Sequence, residues 1–350
     1  MATATRARHA PSAPGFDNTW RHTVSCPQQS PKHYRTQSPI VELMMFTKHK
    51  HFSPQFNRQV LMSGAEYMSN QLALNPYMDS SVPFDVKKAV QQHTGIWKAL
   101  ESIGIAVIKR DAPKDCQDGI FTANEGLLGV DNKTILIARL PKGREQETPY
   151  FDNIFRELDK TVLYLPNTDW FFSGQGDALR YGPYLLAGQQ FRTAPGPEVH
   201  AFIAEHLGYE VISLQAKALL NDDGSRNMND VTGLPNSEFY DIDYAIAPIR
   251  WPSATQKGLL VVCREALEPE SLDKIIALPN TEIIWAPYDE ATGVSACNLV
   301  ATGEAVVMNA GAPVLEKALR KAGLHVVTTV NDELKKNGGS VRCTTLTTLH

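Results

Sequence analysis

The chain lacks the features that mark several large classes of protein. Its 350 residues contain no run of about 18 apolar residues, which excludes a membrane-spanning helix. It has only five cysteines and no C-x-x-C pair, which excludes a disulfide-stapled scaffold and the common zinc and redox motifs. The formal net charge is −4, so no overall basic field attracts nucleic acid. What is present is the composition of an ordinary globular protein.

Residues 1–55 differ in composition from the rest of the chain. They contain seven basic residues against two acidic ones, six prolines and five of the ten histidines, without an apolar period. This composition predicts a disordered basic leader, followed by a single domain over residues 56–350. The free thiols favour a cytoplasmic protein. The leader's Ala, Ser and Arg content leaves mitochondrial targeting open, although its prolines disfavour an amphipathic helix.

One unit recurs through the body of the chain at a period of about 50 residues. It consists of an amphipathic helix, a corner residue, a short β-branched strand and a polar loop. The corners are Gly104, Asp159, Gly208, Asn280 and Gly323, and strands are predicted after them at 105–109, 161–165, 209–214, 282–287 and 324–330. Further strand-like runs are 134–140, 184–191, 244–249, 258–263, 298–309 and 340–346. Five such units predict one α/β domain that closes around a central axis.

The residues that could carry chemistry lie in the polar loops of these units. If rotation relates the units, the loops meet near the axis. They would bring together Asp118, Asn124, Asp177, Asp241, Asp243 and Cys343. We expect the cation of neighbouring Arg342 to lower the pKa of the Cys343 thiol. Two plainer interpretations stay open: a structural buried cysteine, and a solvated surface pair for the two aspartates at 241 and 243.

Seven short motifs follow one another between residues 58 and 348. They are LNPYM at 74–78, DGIFTANEGLL at 118–128, ARLPKGREQE at 138–147, SGQGDAL at 173–179, FYDIDYAIAPI at 239–249, SACNLV at 295–300 and GGSVRCTTL at 338–346. In this order they resemble the guanidino-group-modifying superfamily, also called penteins, and most of all its arginine dihydrolase and amidinotransferase-like group. The resemblance implies a five-bladed α/β propeller of pseudo-fivefold ββαβ repeats, with the active site on the axis.

The resemblance also implies a mechanism and a set of site residues. In the family a cysteine thiolate attacks the guanidinium carbon, and water or an acceptor amine resolves a covalent thiouronium-type intermediate. The implied catalytic residues are Cys343, Asp241 and Asp243. The implied substrate-binding residues are Asn75, Asn124, Arg139, Ser173 and Asp177. The expected partner is a cationic small molecule, no metal or organic cofactor is called for, and a homodimer is left open because family members commonly dimerise.

Two positions depart from the family pattern. Asp241 stands where the family has a histidine that acts as general acid/base, and Ser173 replaces the acid that grips the guanidinium. Loss of a general acid/base typically costs about 10²–10⁴-fold in rate, so arginine hydrolysis at full speed is not expected. Residues 218–238 form a longer connection than is usual in the family, and we expect them to reshape or cover the pocket.

Two hypotheses follow from these residues. The first is a Cys-dependent hydrolase or amidinotransferase that acts on a guanidino or amidine-like compound, with Asp241 as the substitute acid/base. The second is a catalytically silent pentein that binds a ligand or a protein.

Overall fold

A computed structural model of the protein describes residues 53–350. These residues belong to one compact unit, Lys50–His350. The predicted leader lies almost entirely outside the described residues, so its disorder, its targeting role and the domain boundary at residue 55 stay predictions. Over residues 53–350, no helix combines the length and the apolar character needed to cross a membrane.

Fifteen strands in the described part of the chain form five separate three-stranded sheets. The strands are β1 (Gln59–Ser63), β2 (Ala106–Arg110), β3 (Gly126–Leu128), β4 (Thr134–Ile137), β5 (Thr161–Leu163), β6 (Ala178–Tyr181), β7 (Tyr184–Gly188), β8 (Glu210–Leu214), β9 (Ile246–Arg250), β10 (Gly258–Val262), β11 (Thr281–Trp285), β12 (Val300–Ala301), β13 (Ala305–Asn309), β14 (His325–Thr329) and β15 (Leu346–Leu349). The sheets have the orders β15-β1-β2, β3-β4-β5, β6-β7-β8, β9-β10-β11 and β12-β13-β14.

Every sheet repeats the same connectivity. The central strand pairs antiparallel with the first strand and parallel with the third. A helix connects the second strand to the third, as a parallel pair requires. These helices are α1 (Val86–Ser102), α2 (Glu147–Glu157), α3 (Gly196–Leu207), α4 (Pro269–Ile276) and α6 (Pro313–Lys321), while α5 (Tyr288–Val294) and α7 (Asp332–Lys335) lie in the connections between sheets. The predicted ββαβ unit and its five repeats are therefore confirmed.

The predicted corners have the backbone conformation that their residue types favour. All five have left-handed φ angles, from +51° at Asn280 to +87° at Gly104. Glycine adopts this conformation freely, and asparagine and aspartate tolerate it better than other residues. Four of the corners lie within two residues of the end of a helix, Asn280 lies four residues after α4, and the parallel strand starts within two residues of each corner. The strands predicted after the corners are thus present within about one residue at their start.

The central strands are the most buried parts of the fold. β10 (GLLVV) and β13 (AVVMN) are buried at every position. Such uninterrupted apolar runs are typical of strands that are covered on both faces. The sheets contact one another through their first strands, such as β6 with β9 and β9 with β12.

One strand prediction is wrong, and it concerns the segment that carries the cysteine. Residues 341–344 form a turn, and the strand begins only at Leu346. The turn is closed by Thr344 N–H donating to the Ser340 carbonyl at 3.3 Å. The Cys343 amide donates to the side chain of Asn298 at 3.1 Å, a partner distant in sequence. A β-branched run therefore folds as a turn because tertiary hydrogen bonds replace ladder bonds.

Candidate active site

Five turns occupy equivalent positions in the five repeats. Three are single-turn 3-10 helices, Thr122–Glu125, Gly174–Gly176 and Ile242–Tyr244. The other two are turns at 296–297 and 341–344. Each directly precedes the first strand of a sheet, so the repeat brings all five together. Six of the eight site residues that the sequence predicted lie in these turns or directly beside them.

Cys343 lies at the centre of this cluster and is 2% exposed. Its Sγ accepts a hydrogen bond from Asn298 Nδ2 at 3.0 Å and donates one to Asp243 Oδ2 at 3.5 Å. Asn298 also accepts from the Cys343 amide through Oδ1, so one side chain orients both the backbone and the sulfur. Asn298 belongs to the SACNLV motif, but the sequence analysis did not single it out.

Three buried carboxyl groups belong to the same cluster. Asp177 accepts hydrogen bonds from Thr193 Oγ1 at 2.6 Å and from the Ile242 amide at 3.0 Å. Asp241 and Asp243 each have one buried carboxyl oxygen, Oδ1, with no hydrogen-bond partner in the described part of the chain. Because Asp241 and Asp243 are at most 2% exposed, they are not a solvated surface pair.

Asn124 links the two positions that depart from the family pattern. Its Nδ2 donates to Ser173 Oγ at 2.8 Å and to Asp241 Oδ2 at 2.9 Å. Its Oδ1 accepts from Arg144 Nη1 at 2.9 Å. All four side chains are buried, so the amide of Asn124 fixes the relative positions of the serine, the aspartate and the arginine.

The structure does not bring every predicted residue to this cluster. The Asn75 side chain donates to the Asn337 carbonyl at 3.0 Å and packs against Gly338, on the segment that leads to Cys343. Gly338 has φ +76°, and a Cβ there would lie 2.6 Å from Asn75 Oδ1, so only glycine fits. Arg139 instead donates to the carbonyls of Leu165 and Asn167.

Arg144, five residues further on, is the arginine that contacts the cluster. Its guanidinium is buried and forms ion pairs with Glu147 at 2.7 Å and with Glu125 at 3.3 Å. Sequence reasoning chose Arg139 of the same basic segment, and no local signal separates the two arginines. Arg139 instead lines a cavity of about 690 Å³ together with Leu140 and Tyr164.

Electrostatics at the cluster favour protonated side chains. Burial raises the pKa values of the Asp177, Asp241 and Asp243 carboxyl groups, and the Asp241 charge raises those of the other two further. Burial, and then the charges of Asp243 and Asp241, raise the pKa of the Cys343 thiol well above its usual range. By itself the protein therefore disfavours a thiolate at this position.

The charge of Arg342 interacts with that of Cys343 but does not offset the burial that raises the pKa of the thiol. Its guanidinium donates to Gln175 Oε1 at 2.9 Å and points toward the Thr345 and Thr347 side of the turn. His200 does not take this role either, because it is buried and hydrogen-bonds to Ser213 and to the Gly188 carbonyl. In residues 53–350, no group of three or more His, Cys, Asp or Glu side chains is arranged to hold a metal ion.

Comparisons with known proteins agree with this arrangement. No family model matches the chain. N(G),N(G)-dimethylarginine dimethylaminohydrolase of Mycobacterium tuberculosis is 28% identical over 290 residues, which cover 83% of this chain and 85% of that protein. The N-terminal domain of ArgZ, an arginine dihydrolase from the ornithine–ammonia cycle in cyanobacteria, was solved bound to its product. It is 28% identical with a TM-score of 0.69, covering 82% of this chain and 96% of that one.

A second ArgZ structure contains a covalently bound reaction intermediate. It has the same identity and TM-score, and the alignment covers 82% of this chain. The five three-stranded sheets match the α/β propeller fold of these neighbours, so the predicted fold class is confirmed. The homologues and structural neighbours of the chain are dimethylarginine dimethylaminohydrolases and arginine dihydrolases, members of the pentein superfamily, so the resemblance found in the sequence is confirmed. These neighbours are hydrolases of guanidino C–N bonds, in agreement with the class of enzyme toward which the sequence leans.

Proposed function

We propose that the protein is a Cys-dependent hydrolase that acts on a cationic guanidino or amidine-like small molecule. The observation that carries the proposal is the pair of unpartnered, buried Oδ1 atoms on Asp241 and Asp243, close to the Cys343 sulfur. Leaving buried acceptors unsatisfied is costly, and a planar cation with several N–H groups would satisfy both. Homology to dimethylarginine dimethylaminohydrolase and arginine dihydrolase supports a guanidino-modifying hydrolase at the level of class.

A bound cation would also activate the nucleophile. The carboxylates of Asp243 and Asp241 raise the pKa of the Cys343 thiol, and a positive charge placed between them would oppose this effect. Asp243 Oδ2, 3.5 Å from the sulfur, is placed to accept the thiol proton. The Nδ2 group of Asn298 then stabilises the thiolate through its hydrogen bond to the sulfur.

In the proposed reaction the Cys343 thiolate attacks the guanidinium carbon, and a C–S bond forms. The C–N bond breaks as Asp241 in its protonated form, which burial favours by raising the pKa of the carboxyl group, gives its proton to the leaving amine. The resulting Asp241 carboxylate takes a proton from water as that water attacks the thiouronium carbon. The C–S bond then breaks as Asp243 returns its proton to the sulfur. The remaining hydroxyl proton of the adduct passes to the released amine or to solvent, and a neutral ureido product leaves. If an amine attacks in place of water, the same intermediate gives an amidinotransferase.

The second candidate function is a silent pentein that binds a cationic ligand without turnover. It is favoured by the raised pKa of the Cys343 thiol and by the absence of an imidazole contact to its sulfur in residues 53–350. Such a protein would keep the carboxylate cluster for binding alone.

Intact mass spectrometry with a chloroacetamidine-type label separates the two candidates. We expect label on Cys343 at neutral pH, protection by a guanidino substrate, and release of ammonia or an alkylamine from at least one guanidino compound of a panel. Cys343→Ser should abolish the label, whereas Cys116→Ser, at a buried cysteine outside the cluster, should not. An unlabelled Cys343 together with no amine released across the panel would favour the silent protein.

A further inference from the structure

Ser173 and Asp241 share one hydrogen-bond donor, the side-chain amide of Asn124. Its Nδ2 lies 2.8 Å from Ser173 Oγ and 2.9 Å from Asp241 Oδ2. Both acceptors are buried, at 2% exposure each. A Cβ at Gly176 would lie 2.3 Å from Asn124 Nδ2 and 3.1 Å from Asp241 Oδ2. The backbone of the turn that follows Ser173 therefore packs directly against Asn124 and Asp241 and holds them in place.

The Ser173 hydroxyl can act on Asp241 as a donor. Because Oγ accepts the N–H of Asn124, its own hydrogen stays available for an acceptor. Burial raises the pKa of Asp241, and hydrogen bonds from Asn124 and Ser173 are among the contacts that lower it. The serine therefore favours the ionised form of a carboxyl group that burial favours as the acid.

The residue at position 173 matters because charges surround Asp241. The groups that interact with it electrostatically are Arg192, Arg144, Asp177, Asp243, Tyr240 and Cys343. The family pattern has an acid at 173, which would add another buried negative charge beside Asp241 and raise its pKa further. A serine adds no charge and supplies a donor. The substitutions at 173 and 241 are thus chemically matched.

We propose that Ser173 is a positioning residue for Asp241 and not a substrate contact. Together with Asn124 it holds one side of the carboxyl group, and Asp241 Oδ1, which has no partner within residues 53–350, is left for the substrate. This inference rests on the proposed function, in which Asp241 gives a proton to the leaving amine. A donor that stabilises the resulting carboxylate makes Asp241 a stronger acid.

The first test follows the ionisation of Asp241 without turnover. The full chain is labelled with ¹³C at the aspartate carboxyl groups, and Asp241→Asn identifies the signal of Asp241 in the NMR spectrum. Ser173→Ala should raise the titration midpoint of Asp241 by about one pH unit, because a donor to the charged form is lost. Ser173→Thr keeps the hydroxyl and should keep the midpoint. If Ser173→Ala does not fold, Ser173→Cys replaces it, since a thiol is a weaker donor.

Ser237→Ala is the matched control. Ser237 is also fully buried, and its hydroxyl donates to the Lys217 carbonyl at 2.6 Å. Its loss should leave the Asp241 midpoint unchanged. An unchanged midpoint in Ser173→Ala would overturn the proposal, as would an equal shift in Ser237→Ala.

The second test is the pH profile of kcat/KM for the active guanidino compound. Asp241 must be protonated to act as the acid, so activity falls as the pH rises through its pKa. In Ser173→Ala the alkaline limb should move to higher pH together with the NMR midpoint, with little change in KM. A raised KM with an unchanged limb would instead make Ser173 a substrate contact. If no guanidino compound is turned over, the proposed function fails, whereas the NMR midpoint still decides the role of Ser173.

Discussion

At the scale of single residues, Asp241 and Ser173 change the site together. The family pattern has an acid at the position of Ser173 and a histidine at that of Asp241. Here the carboxylate stands at 241 and the small hydroxyl at 173, and Asn124 donates to both. The site thus keeps a carboxylate to hold a cation but loses its imidazole. One group, Asp241, is left both to hold the substrate and to move the proton.

Asp241→Asn tests this double role. We expect kcat/KM for the active guanidino compound to fall by about 10²–10⁴-fold, because the amide cannot give or take a proton. The isosteric side chain keeps the contact with Asn124, so the melting temperature should change little. Asp222→Asn, at an exposed position of the connection 218–238, is the matched control. If Asp241→Asn retained full activity, another group would be the acid.

Asp118 is another buried carboxyl group, and its side chain has a structural role. Its Oδ1 accepts from Asn337 Nδ2 at 2.9 Å, which fixes the segment that leads to Cys343. Burial raises the pKa of Asp118 to about 6. In the unfolded chain an aspartate has a pKa of about 3.9. The folded protein therefore binds the proton more tightly, and the contribution of this group to stability falls as the pH rises from about 4 to about 6.

Asp118→Asn should remove this dependence. Relative to the variant, the free energy of unfolding of the wild type should fall by up to about 3 kcal/mol between pH 4 and pH 7. Urea unfolding at several pH values measures the difference, and Asp222→Asn provides the control for loss of a charge. A difference that stays constant with pH would mean that Asp118 titrates normally.

At the scale of elements, the connection 218–238 holds the loop that carries Asn75. It forms a hairpin-like excursion, closed by the Leu219 amide donating to the Asn236 carbonyl at 2.9 Å. Asn229 Nδ2 donates to the Ala73 carbonyl at 3.0 Å, two residues before Asn75. The side chain of Tyr77 donates to the Glu238 carbonyl at 2.8 Å. The connection therefore restrains the loop that carries Asn75, while the expectation that it covers the pocket stays a prediction.

Asn229→Asp tests whether this restraint limits access to the cysteine. The variant keeps the Oδ1 acceptor that closes its own turn but loses the donor to Ala73. Loss of one hydrogen bond of about 0.5–1.5 kcal/mol should speed chloroacetamidine labelling of Cys343 by about two- to tenfold. Asn221→Asp, whose side chain bonds only within the connection, should leave the rate unchanged. Equal rates in both variants would mean that access runs elsewhere.

The sequence predicts the elements that local residues determine, but not those that depend on hydrogen-bond partners distant in sequence. Strands after the corners were predictable because β-branched runs follow a helix stop such as Gly208. The turn at Cys343 was not, since it depends on Asn298, which is 45 residues away in sequence. The sequence also did not show which of Arg139 and Arg144 contacts the cluster. The path of the chain between them depends on Gly143, which has a positive φ angle. The pairing of β1 with β15 also had no local signal.

At the scale of the whole molecule, one sheet joins distant parts of the sequence. β15, directly after Cys343, pairs with β1, while β2 completes the sheet on the other side. The ring of five sheets is thus closed by a strand at each end of the described chain. Leu346 of β15 is fully buried and packs with Leu61 of β1 in one apolar cluster.

Leu346→Ala tests how much this closure stabilises the ring. We expect a loss of about 2–5 kcal/mol in the free energy of unfolding, as for other fully buried leucines. Leu220→Ala, at a leucine that is 62% exposed, should change it by less than about 0.5 kcal/mol. Urea unfolding measures both. A small effect at Leu346 would show that the ring is stable without a tightly packed final strand.

The predicted domain boundary can be tested in the same way. All eight predicted site residues and all five sheets lie within residues 53–350. We expect a chain that begins at residue 53 to keep the urea midpoint and the Cys343 labelling rate of the full chain. A lower midpoint would assign residues 1–52 a part in the folded domain.

The sheet formed by β15, β1 and β2 has a consequence for the order in which the protein folds. Thr348 and Gln59 meet although 289 residues separate them, and pairings of such high contact order form slowly. During synthesis the first four repeats of carboxylates and amides emerge before the segment that carries the sulfur. Cys343 can therefore contact Asp243 and Asn298 only after the turns that carry them have been synthesised.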